Sequence, residues 1–146
     1  MDTIKTLREE TGLSFAQIKK ALDEAAGDAN KAREVLKTYS IAQAEKKSER
    51  ELAAGTISTY VHSTSMMGAM VLLSCETDFV SKNEEFKSLA YDLAMHITAM
   101  GNDNLDEVLK ESFIKDNSVT VEEKISGAVQ KFGENVKLTK IVRFAI

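Results

Sequence analysis

Gly55-Thr56-Ile57-Ser58-Thr59-Tyr60-Val61-His62 is where the chain changes character. Ile57, Thr59 and Val61 alternate with Thr56, Ser58, Tyr60 and His62, a period of two that predicts a strand. A polar turn, Ser63-Thr64-Ser65, separates it from Ala69 to Cys75, which is apolar on both faces and reads as the buried second strand of a hairpin. Helical spacing governs on either side of this hairpin.

Toward the N-terminus, Ile4, Leu7 and Arg8 precede Gly12, a helix stop, and Ser14 with Gln17 forms a capping box. Phe15, Ile18 and Leu22 then recur at helical spacing until Gly27. Asp28 caps a third helix whose Ala32, Val35, Leu36 and Tyr39 share one face. Helices of about ten residues are marginal alone but can share a core, so residues 1–40 are expected to form a three-helix domain. Residues 41–54 are strong helix formers with few large apolar groups, and read as a solvated helical linker.

Toward the C-terminus, Ser81-x-x-Glu84 is expected to box the start of a long helix carrying Phe86, Leu89, Leu93, Ile97 and Met100 and ending at Gly101. A weaker segment, 105–114, precedes a third capping box, Thr120-x-x-Glu123. The helix it opens carries Val121, Ile125, Ala128, Val129 and Phe132 and stops at Gly133; Val136 to Ile146 is strand-like. Residues 55–146 thus read as ββααβ, an α+β core with a small antiparallel sheet packed with helices.

Composition narrows the function. Lys and Arg number 19 against 23 Asp and Glu, net −4, so the chain is not a generic binder of phosphate backbones and no direct nucleic-acid partner is expected. Residues 1–52 are neutral overall, which places the whole acidic surplus in 53–146. Proline is absent, which excludes proline-built linkers and suits a largely helical chain. One cysteine and two histidines fall short of a zinc site and form no internal disulfide, so a reducing, cytoplasmic setting is expected and no metal is. No leader pattern opens the chain and no apolar run approaches about 18 residues, so no membrane partner is expected.

Neither a phosphate-cradling Gly-x-x-x-x-Gly-Lys-[Ser/Thr] nor a Gly-x-Gly-x-x-Gly is present, so no nucleotide cofactor is expected. Cys75 inside an apolar strand reads as an inert hydrophobe, and His96, at the edge of the long helix's apolar face, as a packed core histidine. No adjacent base activates either, which weighs against an enzyme. Met66 and Met67, at the hairpin tip, suggest a contact surface. Glu76-Thr77-Asp78-Phe79-Val80-Ser81 sets a large aromatic beside Asp where the chain turns outward. Folded back, Phe79 is core; exposed, it is an anchor for a partner's pocket, and the residues alone leave both open.

With Val71-Leu72-Leu73-Ser74-Cys75-Glu76 before it, Thr77-Asp78-Phe79-Val80 resembles the elongation factor Ts family, the nucleotide exchange factors of elongation factor Tu. Leu7-Arg8-Glu9-Glu10-Thr11-Gly12, Lys19-Lys20-Ala21-Leu22, Asp92-Leu93-Ala94-Met95-His96-Ile97 and Gly133-Glu134-Asn135-Val136 leading to Arg143-Phe144 agree in the same order. The resemblance implies an N-terminal domain of the ubiquitin-associated type and a core domain over 55–146. It implies that Thr77, Asp78, Phe79 and Val80 dislodge magnesium from the GTPase's nucleotide site. It also implies that Leu13, Phe15 and Lys19 touch a helix of the GTPase domain, and that His62 faces another of the partner's domains. The long helical insertion many members carry is absent. One core module in place of the tandem pair of long members suggests a homodimer. The competing reading is a ubiquitin-associated-like adaptor that binds a protein without promoting exchange.

Overall fold

The computed structural model describes residues 2–146. Three helices open it, α1 (Asp2–Thr11), α2 (Phe15–Glu24) and α3 (Ala29–Lys47), followed by strands β1 (Ala54–Val61) and β2 (Met67–Cys75). A single turn, α4 (Asp78–Ser81), leads to α5 (Glu84–Met100), α6 (Leu105–Lys110) and a small hairpin of β3 (Ser112–Phe113) and β4 (Asp116–Thr120). Helix α7 (Val121–Phe132) and strand β5 (Lys137–Ala145) close the chain.

The helical start follows its local signals. Gly12 takes φ +69°, the left-handed conformation that ends α1 without a Cβ clash. At α2, the amide of Gln17 donates to Ser14 Oγ and the amide of Ser14 donates to Gln17 Oε1, the reciprocal box that spends two otherwise orphaned N–H groups. Asp28 Oδ1 accepts from the amides of Asn30 and Lys31 at the start of α3. Leu7, Leu13, Ile18, Ala21, Ala32 and Leu36 bury together as the core of this unit.

Helix α3 departs from expectation. It has 19 residues, nearly twice the length its apolar face predicts, and it absorbs 41–47. Nothing in that stretch stops a helix, Ser40 is buried, and Ala44 packs against the second core, so tertiary contact carries the helix onward. The expected helical linker over 41–54 is therefore helical only to Lys47, and 51–53 are irregular before β1 begins.

The sheet has the order β1-β2-β5, antiparallel throughout. Ala69, Val71, Leu73 and Cys75 of β2 are buried together with Phe86, Leu89, Leu93 and Ile97 of α5 and with Val121, Ile125 and Val129 of α7. The opposite face opens toward the hairpin tip, where Met70 is exposed, and is buried at Ser74. The strand that reads as apolar on both faces therefore lies deep on one face along its length and on the other only at its end. Cross-strand rows run Thr59, Met70, Val142 and Val61, Gly68, Phe144. Of these, Val61, Met70, Val142 and Phe144 are exposed apolar side chains, as is Ile57 one row along.

The ββααβ reading is corrected in one place. The hairpin β3–β4 and the short α6 lie between the two long helices, where only a weak segment is apparent in the sequence. His96 explains part of the arrangement. Buried beside Phe113, it accepts the amide hydrogen of Ile114 at Nδ1 (3.1 Å), which leaves the proton on Nε2 to donate to Glu111 Oε1 at 3.1 Å. The expected core histidine thus ties α5 to the β3–β4 hairpin.

The helical unit rests on the core through α7. Lys37 Nζ donates to the carbonyl of Ser118 (3.0 Å) and lies 3.7 Å from Glu123, while Gly12 touches the backbone of Lys131. A Cβ at Gly12 would sit 3.0 Å from Lys131 Cα, and the left-handed backbone is strained for alanine as well. Gly12→Ala is expected to destabilise the fold by about 1–2 kcal/mol. A urea melt matching wild type would show that neither the left-handed strain nor the close approach to α7 is felt. Among the described residues, no helix is long and apolar enough to cross a membrane.

Candidate functional site

Strand β2 delivers the chain to Glu76 at the sheet's end, and α4 turns it outward. The cap of α4 is Thr77, whose hydroxyl accepts from the amide of Val80 at 3.4 Å. Ser81 belongs to this turn, donating its hydroxyl to the carbonyl of Asp78, so the expected Ser81-Glu84 box does not form. Asn83 caps α5 instead, its Oδ1 accepting from the amides of Glu85 and Phe86. Two short-range caps in tandem therefore shape the corner, with no glycine in it.

Within Thr77-Asp78-Phe79-Val80 the side chains divide by burial. Val80 is buried and anchors the turn in the core, which removes it from the outward-facing set. Phe79 is 87% exposed, which decides between the two readings of this residue: it does not fold back. Asp78 is exposed beside it, and among the described residues its carboxylate has no hydrogen-bond or ion-pair partner. An aromatic ring and a free carboxylate thus project from a corner held at both ends.

The corner is held by a residue that periodicity does not reveal. Glu134, in the turn after α7, accepts from the amides of Glu76 and Thr77 at 3.0 Å each and from the Thr77 hydroxyl at 2.6 Å. It lies 57 and 58 residues from these partners, so no local spacing signals the contact. The Cys75 thiol donates to the carbonyl of Thr77 at 3.3 Å. Burial pushes this thiol up, and the nearby Glu134 charge adds to the shift, which keeps it protonated and unreactive at neutral pH.

The other expected contacts lie elsewhere. Phe15 is half-exposed and Lys19, one helical turn on, is exposed on α2, whereas Leu13 is buried in the helical unit's core and supports the turn from inside. His62 is half-buried at the end of β1, its Nδ1 3.5 Å from the Tyr60 hydroxyl, close to the hairpin tip that carries the exposed Met66. The structure therefore places the expected site residues on three separate stretches: α2 with the turn before it, the hairpin end and the α4 corner. Among the described residues, no group of three or more His, Cys, Asp or Glu is placed to hold a metal ion.

Comparison with known proteins places this chain in a family. The family model described as Elongation factor TS matches residues 76–146. Elongation factor Ts of Aquifex aeolicus is 42% identical over 149 residues, covering 99% of this chain and 51% of that protein. Elongation factor Ts of Clostridium botulinum (strain Eklund 17B / Type B) is 40% identical over 144 residues, covering 99% and 47%. The chain thus spans about half the length of these two relatives. Elongation factor Ts of Herpetosiphon aurantiacus is 32% identical over 191 positions, covering all of this chain and 96% of that protein. That alignment is longer than the 146 residues of this chain, so the relative carries additional positions opposite gaps. With similarity running through both the helical unit and the sheet core, the chain belongs to the elongation factor Ts family.

Proposed function

We propose that this chain is a guanine nucleotide exchange factor that binds elongation factor Tu carrying GDP and promotes GDP release during translation elongation. The observation that carries the reading is Phe79, an exposed aromatic on a doubly capped corner, in a chain of this family. Exposing such a ring to water costs free energy unless a partner covers it, and buried aromatic anchors dominate protein interfaces. In this reading Phe79 enters a pocket of the GTPase domain. The free Asp78 carboxylate beside it rearranges the contacts that hold magnesium and the phosphates. Phe15 and Lys19 grip the same domain from α2, and His62 faces a further domain.

Such a factor needs no catalytic group. It binds the nucleotide-free GTPase better than the nucleotide-bound form, and by linkage nucleotide weakens its binding by the same factor. Each tenfold of acceleration requires about 1.4 kcal/mol of that difference. The test is release of fluorescent GDP from loaded elongation factor Tu, chased with excess unlabelled GDP, with and without the full chain. Accelerated release is expected; binding with no acceleration would sink this reading in favour of an adaptor.

The open face of the sheet supports a homodimer. Val61, Phe144 and Ile57 are 66%, 75% and 65% exposed; with Met70 and Val142 they form an apolar surface across three strands that the Ile57 row closes with Lys140 on β5. A second copy related by a two-fold axis covers that surface with the same residues. Light scattering at micromolar concentration is expected to give twice the chain mass, reduced to one by Val61→Glu. A monomeric wild type would overturn the dimer.

A further inference from the structure

Glu134 and its neighbour Asn135 reach in two directions. Toward the α4 corner, Glu134 takes the hydrogen bonds from Glu76 and Thr77 described above, and Glu76 returns one, its Oε2 accepting from the amide of Asn135 at 2.6 Å. Toward the end of α3, the buried Asn135 donates its side-chain amide to the carbonyls of Arg50 (2.8 Å) and Ser48 (3.3 Å). Lys137 Nζ donates to the same Ser48 carbonyl at 2.9 Å, and the Arg50 guanidinium lies 3.7 Å from Glu76. Ser48 is the C-cap of α3, the helix whose N-terminal half belongs to the unit carrying Phe15 and Lys19.

We propose that Glu134 is a positioning residue for Phe79, and that with Asn135 it fixes the corner bearing Phe79 relative to the end of α3. The proposal rests on the exchange reading given above. A four-residue helix cannot hold itself, because nucleation costs more than its few hydrogen bonds return. A hydroxyl has one hydrogen to give: donating it to Glu134 fixes the Thr77 rotor and leaves a lone pair for the amide of Val80. Glu134 also satisfies the amides of Glu76 and Thr77, and bonds to an ionised acceptor are the strong class. Without that carboxylate, Thr77 turns freely, the cap of α4 loosens, and the ring of Phe79 samples directions that miss its pocket.

The experiment is a double-mutant cycle of Glu134→Ala with Phe79→Ala, read by fluorescent GDP release over a range of factor concentrations. Glu134→Ala is expected to lower the maximal release rate about tenfold while shifting the half-saturating concentration less than about threefold, since the α2 surface still binds. Its effect is expected to shrink to less than about twofold once Phe79 is alanine, because it acts mainly through that ring and the remainder is what the loosened corner costs Asp78. Glu134→Gln keeps the size and one acceptor oxygen and is expected to recover part of the rate; it carries the same cycle if the alanine variant does not fold. In the isolated chain, amide hydrogen exchange at Glu76 and Thr77 is expected to quicken in Glu134→Ala. Unchanged amide protection, an unchanged release rate, or losses that simply add to those of Phe79→Ala would each overturn the positioning role. A wild type that gives no acceleration would overturn the exchange reading itself, and this inference with it.

Discussion

Phe79→Ala is expected to leave the protein folded and to slow GDP release from elongation factor Tu by roughly thirtyfold or more. The first half follows from burial. A side chain 87% exposed has almost no native contact to lose, so the change in stability stays within about 0.5 kcal/mol. The second half follows from what an aromatic anchor contributes to a desolvated pocket. Truncating such a residue costs about 2 kcal/mol or more, and 1.4 kcal/mol is tenfold. In the proposed exchange role the anchor acts on the nucleotide-free complex more than on the GDP complex, so the loss is expected to fall on the release rate. Asp78→Asn separates the two side chains: it keeps the shape of the corner and removes only the charge, so a smaller reduction is expected. Stopped-flow release at saturating factor, paired with thermal melts, measures both quantities. A Phe79→Ala factor as active as wild type would show that the corner does not enter the GTPase.

The corner and its scaffold were legible in the sequence to different depths, and the difference is one of range. Caps that act over three residues were readable: Ser14 with Gln17, Asp28, and Thr120 with Glu123 all hold the helices they announce. The exception is instructive. Ser81 and Glu84 match the box pattern, but Thr77 caps a turn four residues earlier and Ser81 is consumed within it, so the local pattern lost to a competing local pattern. Contacts between distant residues left no periodic trace. Helix α3 runs on to Lys47 because a second core receives Ala44, and β3–β4 forms although Asp116, Asn117 and Ser118 are poor strand residues. Glu134 belongs to the same class, since its partners lie in another part of the chain. The outer sheet face was half visible: alternation in β1 showed two faces, but not that the one with Ile57 and Val61 would face away from the helices.

Phe86→Ala is expected to do the opposite of Phe79→Ala, destabilising the fold by about 3–5 kcal/mol. The two rings lie seven residues apart on either side of the Asn83 cap, and only burial distinguishes them. Phe86 is fully buried in the first turn of α5, its ring edge-on to Phe132 of α7 at 5.8 Å between centroids. Truncation loses the transfer energy of the ring, the aromatic pair, and the contacts of the walls left around the void. Neither β2 nor α7 can collapse into that void freely, because β2 is paired on both edges and α7 packs on α3 while its Val121, Ile125 and Val129 share the buried cluster of β2 and α5. Against a total stability of about 5–15 kcal/mol, such a loss brings the domain close to unfolding at physiological temperature. Urea melts are expected to show a lower midpoint with an unchanged slope, and at low temperature the folded fraction should still accelerate GDP release because the α4 corner is intact. A loss below about 1 kcal/mol would mean that the core relaxes around the gap. Release lost in proportion beyond the unfolded fraction would mean that the corner depends on the start of α5 as well as on its own caps.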